Sequence, residues 1–282
     1  MALVFGLLTA LGFGIGDFLA GFAARRAPAM AVVFSAKIIG GTLLLFTTLM
    51  LGGRTDGVDS LWAAAAGVAL GLGSLAYYRA LALGWMGLVA AVTGVWSALV
   101  PFGIGLLLGE RPALLAIGGV MAVIIAIALV SGGASTRQKR HSLRRVSRGL
   151  AEATLAGVLF GLFFILLDQA QNSDAIFAAA SAMLAAAVTF MGPVLLMNRQ
   201  TFRPTRSLMF AVVGVGICSG FGTLCFILAV RNGLLSIVAI AGALSPIPTA
   251  ACARLFLAEQ LTGRQLSGFL LAMVGVVLMS TA

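Results

Sequence analysis

Charge is what this sequence has least of. Asp, Glu, Lys and Arg make up 9% of its 282 residues, against 61% hydrophobic ones, and no water-soluble domain of this size hides that much apolar surface in one core. Most of the chain therefore has lipid as its solvent. Histidine occurs once, as His141 among arginines, with nothing nearby to complete a metal site. The three cysteines, Cys218, Cys225 and Cys252, form neither a CxxC nor a Cys/His cluster, and read as small packing residues. Acids are outnumbered 8 to 18 by Lys and Arg, a net charge of +10. That balance suggests nucleic acid only until the positions are read: the basic residues sit in loops beside apolar segments, where membrane orientation explains them. No cofactor motif is visible.

What is there is a series of apolar runs. A spanning helix needs about 20 mostly apolar residues, and hydropathy marks ten such segments: 2–24, 29–51, 61–83, 86–108, 112–131, 149–170, 175–197, 207–230, 234–256 and 264–281. The first has no basic leader, contains Asp17 and lacks a convincing cleavage site, so it is expected to be retained rather than removed as a signal peptide. The connections leave no room for a sizeable soluble domain.

The ten segments are two sets of five. Under a shift of 149 positions Gly71, Gly73, Leu75, Ala80, Gly84, Val89, Ala90, Leu106, Leu108 and Glu110 fall on Gly220, Gly222, Leu224, Ala229, Gly233, Val238, Ala239, Leu255, Leu257 and Glu259. Each copy reads as a Gly-rich helix, a tight turn at Gly84 or Gly233, a second helix, and a charged exit at Glu110-Arg111 or Glu259-Gln260. An odd number of spans per copy sets the copies in opposite senses, an inverted repeat. The expected architecture is an all-α membrane protein of ten helices around a central cavity, with repeats at 1–131 and 149–282 and a basic linker at 132–148.

A charge inside hydrocarbon is expensive and normally faces a partner or a wet cavity. Asp17 in the first span and Lys37 in the second lie nine or ten residues on either side of the turn Arg25-Arg26-Ala27-Pro28, so at about 1.5 Å per residue they reach similar depth. Two readings follow: a buried ion pair that locks two helices, or paired charges facing a polar cavity. The second is preferred, since plain packing does as well without charges. In the third span Tyr77, Tyr78 and Arg79 lie near one end, fitting either an interfacial belt with a snorkelling arginine or a site. Trp96-Ser97 lies mid-span in the fourth, where an indole N–H wants a partner that lipid cannot supply, so Trp96 is expected to face the protein interior. Pro101 beyond it removes a donor and is expected to kink its helix. Pro193 is expected to interrupt the seventh span, and Asp168, Gln169, Asn172 and Asp174 to form a solvated turn. The ninth span carries Ser245-Pro246-Ile247-Pro248 at mid-depth, where two missing donors bend or open a helix, as at the discontinuous helices of carriers.

Basic residues divide unevenly. One side holds Arg25, Arg26, six linker residues, Arg199, Arg203, Arg206 and Arg264; the other holds Arg54, Arg111 and Arg231. The basic side, with linker 132–148, should be cytoplasmic and both termini outside.

The Tyr78-Arg79-Ala80-Leu81-Ala82-Leu83-Gly84 turn, the helix ending Leu-Gly-Glu110-Arg111, and the second copy's Ala-Leu-Ser-Pro246 and Leu-Ala-Glu259 resemble the EamA-type branch of the drug/metabolite transporter superfamily. The resemblance implies a ten-helix carrier exporting amino acids or related metabolites across a bacterial inner membrane, with both termini in the cytoplasm, opposite to the charge tally. Trp96 falls where YddG-like aromatic amino-acid exporters also have Trp, but Ser97 stands where they have Pro.

These readings combine into an alternating-access carrier rather than an enzyme. Asp17 and Lys37 would meet a zwitterion's charges, Tyr78 and Trp96 would offer apolar or cation–π surface, and Ser97, Ser245 and Pro246 complete the expected substrate site. Arg79, Pro101 and Pro248 are the expected gating or helix-breaking positions. The partners are a small-molecule substrate, foremost an amino acid, and the bilayer, with a monomer sufficient. Drug-like cations or lipid-linked metabolites are the alternative cargo. A membrane-embedded enzyme would need a nucleophile with its base, or a metal set, within the spans, and no intramembrane His or convergent carboxylates exist. A receptor would need no repeat-centred polar cavity.

Overall fold

In a computed structural model, the residues described are 1–53, 57–83, 86–132, 143–196, 205–257 and 263–280. They form eleven helices and, among the described residues, no strand. In chain order these are α1 (Ala2–Ala24), α2 (Ala29–Leu51), α3 (Gly57–Ala82), α4 (Met86–Leu107), α5 (Leu114–Gly132), α6 (Leu143–Asp168), α7 (Ala175–Leu195), α8 (Arg206–Val230), α9 (Leu235–Gly242), α10 (Pro246–Leu257) and α11 (Gly263–Ser280). Six of them, α1, α2, α3, α6, α7 and α8, are long and apolar enough to cross a bilayer, and shorter apolar helices fill the rest. The chain is a multi-pass membrane protein.

The expected spans coincide with helices, with three corrections. Helix α6 starts at Leu143, six residues before Gly149, so its first turns carry basic residues of the expected linker. Pro193 does not interrupt α7; it lies in the last turn, so the one bond its missing N–H removes, to Thr189 O, leaves the turns ahead of it intact. The ninth span is two helices: Ala243, Leu244 and Ser245 form turns between α9 and α10. The expected turn at Gly84, the exit at Glu259-Gln260, His141, and basic residues 54, 137, 139, 140, 199 and 203 lie outside the described residues.

The break in the ninth span follows from its prolines. Without N–H groups, Pro246 and Pro248 cannot donate to Gly242 and Leu244. The chain tightens instead: Leu244 N–H bonds Ala241 O, Ser245 N–H bonds Gly242 O, and Ile247 N–H bonds Leu244 O, each three residues back. Pro246 becomes the first residue of α10, a position that needs no donor. Pro101 also sits inside a helix, yet α4 runs unbroken from 86 to 107.

Packing pairs helices from opposite halves. Helix α1 lies on α8 and α3 on α6, α2 lies on α7 and α5 on α11, α4 meets α6, and α1 meets α9 and α10. Each pairing has its counterpart when helices are exchanged at the 149-residue shift. Lipid gives helices little hydrophobic reason to associate, so close approach of small residues must do it. On Gly40 a Cβ would run into the Gly216 carbonyl, so α2 and α8 touch backbone to backbone.

One end of the bundle combines a local cap with long-range ties. Asp174 caps α7, accepting from Ile176 N at 2.9 Å. The buried Asp59 at the start of α3 accepts from Ser173 N and, at 3.2 Å, from Asn172 Nδ2. Arg231 donates to the carbonyls of Ala170 and Ser173. The α6–α7 loop, expected to be a solvated turn, is therefore tied to α3 and α8.

Candidate functional site

A cavity with about 660 Å³ of empty space, part of it open, lies between α1, α2, α3, α4, α6, α8 and the α9–α10 break. Asp17, Lys37, Tyr78, Ser97 and Ser245 all line it. One wall is aromatic: Phe13, Phe160, Phe163 and Phe164, with Tyr77 edge-on to Phe160 at 5.8 Å between ring centres. Phe164 stacks on Phe226 at 4.4 Å behind that wall.

The two charges share the cavity but form no salt bridge with each other. Lys37, 2% exposed, donates from Nζ to Ser219 Oγ of α8 at 3.2 Å. Asp17 accepts from the Tyr77 hydroxyl at 3.4 Å, and Ser245 at the break lines the same cavity. An ion pair locking α1 to α2, one of the two sequence readings, is not what the helices build. Lys37 instead meets a hydroxyl of the opposite half, on α8, and Asp17 meets one of its own half, on α3.

Helix surfaces explain the geometry. Gly14, one turn before Asp17, lets α1 approach the break: a Cβ there would collide with Pro248 and with the Ser245 carbonyl. Thr249 Oγ1 bonds the Gly14 carbonyl at 2.9 Å, fixing the approach from the other side. Thr93 Oγ1 ties α4 to α6 through the Ala153 carbonyl at 3.1 Å. The break itself frees acceptors. Ala243, whose partners at three and four residues onward are Pro246 and an Ile247 N–H that bonds Leu244 O, keeps a carbonyl without a helical donor, and Gly242 and Ala243 both line the cavity.

Other expected site residues are elsewhere. Trp96 does not face the interior: it is 40% exposed on the outer surface, its Cβ over Gly157 of α6. Successive residues on a helix point about 100° apart, so with Ser97 turned inward its neighbour is turned out. Pro246 is buried behind Ser245, where a Cβ on Gly94 would lie 3.4 Å from its ring. Pro248 packs on Gly14 and Pro101 on Gly161. Arg79 is exposed and borders a separate open pocket with Arg148 and Glu152, beside the α1–α2 turn.

The site also holds residues that sequence reasoning did not select. Tyr77, which fitted a belt or a site equally, is 3% exposed and bonds Asp17. Ser74, Thr93 and Ser219 line the cavity as well. Ser74 and Tyr77, three apart on one face of α3, carried a usable signal; Ser219, in a Gly-rich apolar run whose other hydroxyl is Thr223, carried little.

A solved structure, described only as the crystal structure of a protein, superposes with a TM-score of 0.76 over 97% of this chain and 96% of its own. At 17% identity the likeness is one of fold. No curated protein matches the chain. Residues 147–281, from within α6 through α11, match the model of the EamA-like transporter family, and the second half of the chain is similar to that family's domain.

Proposed function

We propose that the protein is an alternating-access carrier of amino acids, built from inverted five-helix repeats at 1–131 and 149–282 joined by the basic linker 132–148. The matched helix pairings between the halves support the repeat, and the end-to-end likeness to a solved fold supports a single ten-span body. On this reading the ninth span is α9 and α10 together. The uneven basic residues support a cytoplasmic linker in a bacterial inner membrane.

The observation that carries the reading is that Asp17 and Lys37 line one cavity without pairing directly. A carboxylate and an ammonium held apart by hydroxyls can each take one charge of a zwitterion: Lys37 the substrate carboxylate, Asp17 its ammonium, with the freed carbonyl of Ala243 as a further acceptor. The wall of Phe13, Phe160, Phe163 and Phe164 then receives an apolar side chain. With fold and family match pointing the same way, enzyme chemistry has no support in the cavity's residues.

Uptake of labelled amino acids into proteoliposomes, with and without a pH gradient, tests this. Saturable movement of neutral amino acids supports it; silence toward every amino acid tested sinks it. Lipophilic cations form the second arm of the panel, because Asp17 in an aromatic cavity, with no direct salt bridge to Lys37, is also what a cation would find. Movement of cations alone would transfer the assignment to drug export.

A further inference from the structure

A buried charge of the first half, Lys37, is bonded to the second half, and that has a consequence for transport mode. Lys37 Nζ reaches Ser219 Oγ at 3.2 Å. The cavity lies between the halves, so any rearrangement that opens its other side must part α1 and α2 from α8 and the break. Parting them strips Lys37 of its hydroxyl partner in a low-dielectric interior, where an unpartnered charge is costly. An empty carrier has little to offer in exchange. A loaded carrier has the substrate's own ammonium and carboxylate, which can hold Asp17 and Lys37 while the halves separate.

We infer that the protein is an exchanger: its empty form is tethered across the cavity at Lys37–Ser219, and bound substrate replaces the tether. The inference rests on the carrier reading above and adds the mode. Occupancy lowers the barrier to reorientation because the ligand interacts with the moving state better than the serine does, the differential interaction that a ligand-driven change requires. A facilitator would have equal rates for loaded and empty return. Here the empty return is the slow step, and substrate on the far side accelerates uptake.

Tyr77 does not undo the argument. It belongs to the first half, moves with Asp17, and can keep its bond throughout. Ser219 is also bonded within its own neighbourhood, to Met183 Sδ at 3.9 Å, a weak contact that leaves its hydroxyl available to Lys37.

The experiment compares uptake of labelled leucine and phenylalanine into proteoliposomes that are empty or preloaded with the same unlabelled amino acid. Preloading should accelerate uptake by about tenfold or more, the factor expected from losing one hydrogen bond to a charged group. In the Ser219→Ala variant the empty return is released, and the ratio should fall toward unity through faster net uptake. Ser219→Thr keeps the hydroxyl and should hold a high ratio, which separates tethering from general damage to the cavity. A wild-type ratio near one with robust uptake overturns exchange and leaves the carrier reading standing. An unchanged ratio in Ser219→Ala overturns the tether. Failure of all amino acids to move overturns the carrier reading and this inference with it.

Discussion

Glu110 caps a helix that begins 125 residues further along the chain: its carboxylate accepts from Leu235 N at 2.8 Å and from Ser236 N at 3.0 Å. Gly109 makes this possible. Its φ of 95° lies where residues with a Cβ are strained, and the reversal after α4 aims Glu110 at the start of α9. The Leu-Gly-Glu stretch is thus a turn and a cap, and it pins the half-helix ahead of the break to the first half.

Glu110→Ala should leave both N–H groups of α9 without their acceptor and lower stability by about 1–3 kcal/mol. Glu110→Gln, which retains one carbonyl oxygen, should lose less. Thermal unfolding in detergent reads this directly, and equal midpoints for wild type and Glu110→Ala would show that the cap contributes nothing.

Trp96→Ala should leave transport unchanged. The ring lies on the outer surface, 40% exposed, and its loss removes lipid contact and some packing on α6. Kinetics that fell as steeply as for a cavity residue would mean that Trp96 turns inward during the cycle.

Gly14→Val should be among the most damaging single changes, since even a Cβ at this position meets Pro248 and the Ser245 carbonyl. Overpacking of this kind costs about 1–3 kcal/mol or more, and here it would also push α1 away from the break. Gly118→Ala in α5, with nothing within 4 Å of the added atom, is the matched control. Monodispersity on gel filtration separates the two; similar profiles would refute the tight approach.

Asp17→Asn and Lys37→Met should each weaken substrate binding by about tenfold or more, because a charge-assisted hydrogen bond to the ligand is lost in each. Lys37→Met should also leave Ser219 facing an apolar chain without unfolding the protein, since Met fills similar space. Binding measured by isothermal calorimetry or tryptophan quenching distinguishes a ligand role from a structural one. Undiminished affinity in both variants would move the site away from this pair.

How far the chain could be read from its letters varies with the kind of signal. Asp17 and Lys37 stood out because a charge in an apolar run costs too much to sit there without a partner or a wet cavity, and counting out from the turn put them at one depth. Ser245-Pro246-Ile247-Pro248 announced the broken span through two missing donors, although the break falls just ahead of the prolines, at 243–245. Trp96 was misjudged because helices in a bilayer are apolar on every face, so no hydrophobic periodicity tells inside from outside. Polarity alone then suggested an inward indole, and the surface of a membrane protein tolerates the opposite. Ser219 and Glu110 were illegible for another reason: their partners, Lys37 and Leu235, are 182 and 125 residues away, and one sequence gives no distance across a bundle. Tyr77 was visible yet undecided, since an end-of-span tyrosine fits a headgroup belt as well as a cavity.

The α9–α10 break has one more consequence. Its counterpart in the first half, around residues 94–96, is unbroken helix within α4. If both copies had kept the same backbone and the same side chains, exchanging their roles would convert an inward-facing molecule into an outward-facing one of equal energy, and neither side would be favoured at rest. A discontinuity in one copy alone lifts that degeneracy. On the carrier reading the protein therefore has a home side to which it returns when no cargo is present, set by its own backbone rather than by any gradient.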